Sequence, residues 1–296
     1  MFLSLGGGFC QHLFDGGGIQ ARKPQLAGAI TVLCFCCSAS FALDPLGSAS
    51  DKLRKGQFGI GADYSISNMD LVAKGRSNLA ISNVTTGSLI GVLSEQQRLD
   101  LDGVEVHKAY ANLGYGITDN LEAFLRLGAA DADWRDDGDT HFSFGMRTGI
   151  TFYQKDAFQL SALAQYSWVE SEFGSLPWAT EAGGIPYQLA MSGRLEMHEI
   201  QIAMGPTYEL TEGISLYGGG FFHFMDGSLD LKGSTTTTGV PQLRYDLDSS
   251  YDIDRVSELG VYIGTRIGTA DKISYSIEYQ HTNSSHAIAM RLLWKF

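Results

Sequence analysis

From residue 57 to the end of the chain, apolar and polar residues alternate two by two in about ten stretches, joined by connections that are alternately very short and long. A period of two belongs to extended strands, whose successive side chains point to opposite faces. The first stretch, "QFGIGADYSIS", sets Phe58, Ile60, Ala62, Tyr64 and Ile66 against Gln57, Gly59, Gly61, Asp63 and Ser65. The next, 108–117, sets Ala109, Ala111, Leu113, Tyr115 and Ile117 against Lys108, Tyr110, Asn112, Gly114 and Gly116. Further strands are predicted at 121–128, 142–152, 158–168, 200–208, 214–224, 259–267, 273–281 and 287–296. Pro206, with no N–H to give, belongs at a strand end or bulge. The long connections, 69–103, the acidic "DADWRDDGD" (131–139), a stretch reaching about Gly193, and 226–254 with its "STTTTG" tract, read as loops, the last of them mobile.

The apolar face carries aliphatic residues in mid-strand and aromatics toward the ends, among them Tyr64, Tyr115, Phe152, Phe158, Trp168, Tyr208 and Trp294. In a soluble sandwich two such faces meet and the polar faces turn to water; in a membrane barrel lipid covers the apolar face and polar groups line the lumen. Strands of about ten residues match a tilted bilayer crossing, and closure pairs every backbone group that lipid would leave unsatisfied. The expected fold is all-β, a closed antiparallel up-and-down transmembrane β-barrel of about ten strands. Eight or twelve are the alternatives, because 69–103 has room for a further hairpin.

The long apolar run "LAGAITVLCFCCSASFAL" follows Arg22 and Lys23 and ends in Ser40-Phe41-Ala42, the pattern of a signal peptide rather than a retained anchor. The expected organisation is a leader and signal peptide at 1–42, a short periplasmic segment at 43–56 and the barrel at 57–296. All four cysteines, Cys10, Cys34, Cys36 and Cys37, precede that cut, so packing or lipid rather than disulfides must hold the mature fold. Removing 1–42 takes away two bases and one acid and moves the formal charge from −12 to −13, which excludes binding of nucleic acid by phosphate neutralisation.

The turn "GITDNLE", the alternation of short turns with long loops, and the closing "HAIAMRLLWKF" resemble small bacterial outer-membrane β-barrel proteins. The resemblance implies an outer-membrane location, contact with membrane lipid and lipopolysaccharide, and a C-terminal signal for the barrel-assembly machinery carried by Met290, Leu292, Trp294 and Phe296. It names a class and implies location more than activity.

The polar face carries charges that would meet inside so narrow a barrel: Glu122, Arg126, Arg147, Arg266, Glu278 and Arg291. Turn positions estimated from sequence make Glu122 and Arg147 cross-strand neighbours and set Glu278 opposite Arg291. A slip of one residue would turn each base toward lipid at a cost of roughly 2–4 kcal/mol, so the inward register wins. Paired charges give an occluding plug and hence a structural or surface-interaction barrel, with an extracellular ligand taken by the acidic loops; a narrow porin-like pore tuned by the same charges is the alternative. A lipid-modifying enzyme is the third reading. "EYQHTNSSH" offers His281 with Ser284 or Ser285 and loosely resembles the His-x-Ser-Asn pattern of lipid A deacylases, but Asn283 stands where that pattern has its serine. No nucleophile elbow, phosphate loop or zinc-protease motif occurs in 43–296, and Arg135 interrupts the acidic stretch where a compact calcium loop wants an oxygen. No enzyme activity, metal or cofactor is expected.

Overall fold

The structure, a computed structural model, describes residues 43–47, 52–133, 138–182, 185–236, 242–269 and 272–296. The leader and signal peptide lie outside these, as do Arg135, Asp136 and Asp137 of the acidic stretch and the end of the threonine tract. The strands are β1 (Phe58–Asn83), β2 (Leu89–Gly116), β3 (Leu121–Asp133), the two-residue β4 (Gly138–Asp139), β5 (His141–Lys155), β6 (Phe158–Ala182), β7 (Ile185–Thr211), β8 (Ile214–Thr236), β9 (Leu243–Thr269), β10 (Ile273–His281) and β11 (Ser285–Lys295). Sequence neighbours pair antiparallel, β4 joins the line of β5 against β6, and β1 pairs with β11, so ten long strands close into a ring. The closing seam fixes the register Tyr64↔Met290 and Ile60↔Trp294, and Phe58 and Phe296 exchange both backbone hydrogen bonds.

Three predicted loops are strands. Residues 69–103 add no new stave; they prolong β1 and β2 to a turn at 84–88, the stretch toward Gly193 prolongs β6 and β7, and the described residues of 226–254 prolong β8 and β9. The physical reason is a change of phase. Along β1 the outward positions run Phe58, Ile60, Ala62, Tyr64, Ile66 and then Asn68 and Asp70, while the inward ones run Gly59, Gly61, Asp63, Ser65, Ser67 and then Met69, Leu71 and Ala73. β7 does the same: Ile202 and Ile200 face out before His198, Glu196 and Arg194, and Gln201 and Glu199 face in before Met197, Leu195 and Met191. Period two persists, but beyond that level the apolar side points inward.

The inward side chains of the upper part form one packed cluster, including Met69, Leu71, Leu101, Val106, Phe173, Met197, Met225, Leu229, Tyr251 and Ile253. Each is at most 4% exposed. This is the arrangement of a water-soluble sheet, built on top of a lipid-facing one. β1 alone continues roughly 55 Å of strand beyond Ile66. The β10–β11 hairpin stops short of this extension, and above it β1 pairs directly with β9, from Ala73↔Ile253 to Asn83↔Leu243. Six strands therefore rise in the order β6-β7-β8-β9-β1-β2. Pro206 lies within β7 rather than at its end, and the ladder to β8 is interrupted between Met204 and Thr207, where proline has no N–H to give.

Candidate functional site

Among the described residues, buried charge is concentrated in the lumen of the lipid-facing part. All six predicted residues point into it: Glu122, Arg126, Arg147, Arg266, Glu278 and Arg291 are each 6% exposed or less. The two predicted cross-strand pairs are corrected by two residues. Arg147 lies opposite Phe124 and Glu122 opposite Gly149, while Arg291 lies opposite Ser276 and Glu278 opposite Ala289. A shift of two keeps every side chain on its face, so the inward orientation survives a wrong estimate of the turn. The two arginines stack on Phe124 instead, 4.6 Å (Arg291) and 5.6 Å (Arg147) from its ring centre.

Asp63, Lys108, Glu199 and His223 complete the layer. Lys108 Nζ donates to Glu199 Oε1 at 2.6 Å, and His223 Nε2 lies 3.7 Å from Glu199 Oε2. Asp63 sits between Arg126 and Arg291, 3.5 Å from each. Arg126 also lies over the Tyr110 ring at 4.1 Å, and the Tyr110 hydroxyl is hydrogen-bonded to Ser143 Oγ at 2.6 Å. These residues occupy inward positions of the same two-residue alternation, which is the signal that identifies them.

Of the segment expected as a short periplasmic stretch, 43–56, residues 43–47 and Leu53 lie inside the barrel. Leu43, Leu46 and Leu53 are fully buried and Asp44 is 1% exposed. At the end of the barrel where β1 begins, the Leu53 N–H donates to Glu122 Oε2 at 2.8 Å, and Leu53 packs with Phe124 and Leu293. Gly47, with φ +70°, passes the two arginines so closely that a Cβ there would lie 3.0 Å from Arg147 Nη1 and 3.1 Å from Arg291 Nη1. The Leu46 and Gly47 N–H groups donate one to each oxygen of Glu278, at 2.9 and 2.8 Å.

Asp44 is the keystone of the layer. Its carboxylate takes Arg126 Nη1 at 2.8 Å and lies 3.4 Å from Lys108 Nζ, while its carbonyl accepts from Gln280 at 2.7 Å and Gln165 at 3.2 Å. Among the buried described residues, the cations Lys108, Arg126, Arg147, Arg266, Arg291 and Lys295 share the lumen with the wall carboxylates Asp63, Glu122, Glu199 and Glu278. The segment adds a fifth carboxylate, Asp44, which matters because an unpartnered charge away from water is costly. No periodicity marks residues 43–47, so sequence reasoning missed them. Leu43 and Leu46 then pack with Tyr217, Phe221 and Tyr262, just below the apolar cluster of the extension.

At the hairpin tip the hydroxyls of Ser284 and Ser285 lie 3.4 Å from each other, and the backbone and ring contacts are local. Thr282 Oγ1 accepts from the Ser285 N–H at 3.0 Å, the Ser284 N–H donates to Glu258 at 3.1 Å, and the His281 ring packs on Tyr279 and His286. On the outer wall, Met290, Leu292, Trp294 and Phe296 stand 38–59% exposed along β11.

A closed ring of antiparallel strands, apolar outside and polar inside, is an integral membrane barrel of the outer-membrane type. No protein-family model matches the chain, and no curated protein matches it in sequence. Solved structures similar to it in fold include the outer-membrane protease OmpT from Escherichia coli, 12% identical with a TM-score of 0.41, covering 83% of this chain and 100% of that one. The translocator domain of the autotransporter NalP from Neisseria meningitidis is 10% identical, with a TM-score of 0.38 and coverage of 83% and 90%. The toluene transporter TodX from Pseudomonas putida is 9% identical, with a TM-score of 0.35 and coverage of 83% and 90%. The three differ in activity, and no activity passes from them to this chain.

Proposed function

We propose that this protein is a sealed outer-membrane barrel whose work is done by its extracellular extension, as a surface-interaction module held upright by a closed transmembrane base. The observation that carries the reading is the filling of the lumen, among the described residues, at two successive levels. The salt-bridged layer and residues 43–47 occupy the lipid-facing part, and the apolar cluster of the extension occupies the part above. A narrow pore needs a continuous wet path, and two unrelated seals in series oppose one. The outer membrane supplies lipid and lipopolysaccharide around the apolar band, and Met290, Leu292, Trp294 and Phe296 are the residues by which the assembly machinery would take hold of β11.

Planar-bilayer recording tests the reading. The purified protein is expected to give no conductance steps, and Arg147→Ala or Arg291→Ala is expected to open none, because the apolar cluster remains. Steps that change in size with either substitution would establish the pore instead.

A further inference from the structure

The extension ends in a bare edge. β2 pairs with β3 only from Glu105 to Gly116, so among the described residues 89–104 have β1 on one side and no strand on the other. Unsatisfied edges recruit strands, and proteins usually guard them with charge, proline or a cover. This one is unguarded at its outer end: residues 83–94 contain no charge and no proline. Four aliphatic side chains stand in water there, Leu89, Ile90, Val92 and Leu93, each 54–62% exposed. They lie roughly 55–65 Å of strand beyond Ala109, the last apolar outward residue of β2 in the lipid-facing band. Lipid of the protein's own membrane does not reach them.

Residues 89–93 read Leu-Ile-Gly-Val-Leu, symmetrical about Gly91 in size and polarity. If this edge pairs antiparallel with itself about a two-fold axis through Gly91, Leu89 meets Leu93 and Ile90 meets Val92. Symmetry then repeats both contacts, so each of the four exposed aliphatics gains an apolar cross-strand neighbour. Nothing lies within 4 Å of the place a Gly91 Cβ would take, so the axis position is open. β2 carries a bulge at Ile90, between the pairs Ile81↔Gly91 and Ser82↔Leu89, so the strand bends within these five residues and pairing across the axis has to take up that bend.

We propose that residues 89–93 are a homophilic docking edge, whose partner is the same five residues of a second copy added as an antiparallel strand. Two copies in one membrane are related by an axis along the membrane normal, and both β2 strands then run the same way along that normal. An antiparallel match requires copies approaching from facing membranes, so the contact is one between cells. The proposal rests on reading the extension as an interaction surface, but crosslinking of purified protein reports the pairing alone, whatever the bilayer recordings show.

The test uses the full chain with its four natural cysteines replaced by alanine, in detergent, under mild oxidation. Across the axis the two residue-91 Cα atoms would lie about 4.5–5.5 Å apart, within reach of a disulfide. Gly91→Cys is expected to convert most of the protein to a covalent dimer at micromolar concentration. Gln97→Cys, whose copies would be about 40 Å apart, is expected to stay monomeric, and Val92→Lys added to Gly91→Cys is expected to abolish the dimer. Migration before and after boiling verifies that each variant is folded. Vesicles carrying the protein are expected to cluster with one another and to ignore protein-free vesicles. A monomeric Gly91→Cys protein, equal linking by Gln97→Cys, a dimer that survives Val92→Lys, or capture of protein-free vesicles would each overturn the proposal.

Discussion

The lipid-facing base and the extension above it share six strands and one period, and along those strands what changes is which face is apolar. In the base, Ile60, Leu113, Met204 and Ile263 face outward and Asp63, Lys108 and Arg126 face inward. In the extension, Met69, Leu229 and Ile253 face inward and the outward positions of β1 and β7 turn polar. The solvent dictates the phase: hydrocarbon asks for an apolar exterior, and water asks for an apolar interior. One continuous strand can therefore serve two solvents by shifting its hydrophobic set across one residue, at Asn68 and Met69 in β1.

If the two regions obey opposite rules, one substitution should have opposite consequences in them. The largest effect is expected from Met197→Lys, which buries an unpartnered charge in the apolar cluster and should cost about 4 kcal/mol or more. Equilibrium unfolding by denaturant in lipid vesicles measures it. Next comes Asp44→Ala, which leaves Arg126 and Lys108 short of a carboxylate; breaking a buried pair by removing one partner costs about 3–5 kcal/mol, read in the same titration. Met204→Lys, at the middle of the outward apolar band, should cost roughly 2–4 kcal/mol. Ser192→Lys, outward on the same strand but in the extension, should change stability by less than about 0.5 kcal/mol. Similar costs for Met204→Lys and Ser192→Lys would erase the distinction between the two regions.

Most of the base was legible in the sequence, because alternation fixes both the strand and its faces: ten strands, an apolar exterior and inward charges follow from it. Register was not fixed, since turn positions estimated from sequence placed Glu122 and Glu278 two residues off their observed partners. The extension was read as loop because an apolar-out phase was the feature being followed, and Met69, Leu71 and Ala73 break that phase while keeping its period. Asp44 was beyond reach for another reason. Its partners Lys108 and Arg126 are 64 and 82 residues away in sequence, and nothing local in "LDPLG" reports a charge layer waiting for it.

The most direct measurement is the accessibility of nitroxide labels to oxygen, which enters lipid, and to a water-soluble nickel complex, in proteoliposomes. A label at residue 263, outward in the base, is expected to respond to oxygen and not to nickel. A label at residue 192, outward in the extension, is expected to respond to nickel. Strong nickel contact at residue 263, or its absence at residue 192, would contradict the assignment of two solvents to one set of strands.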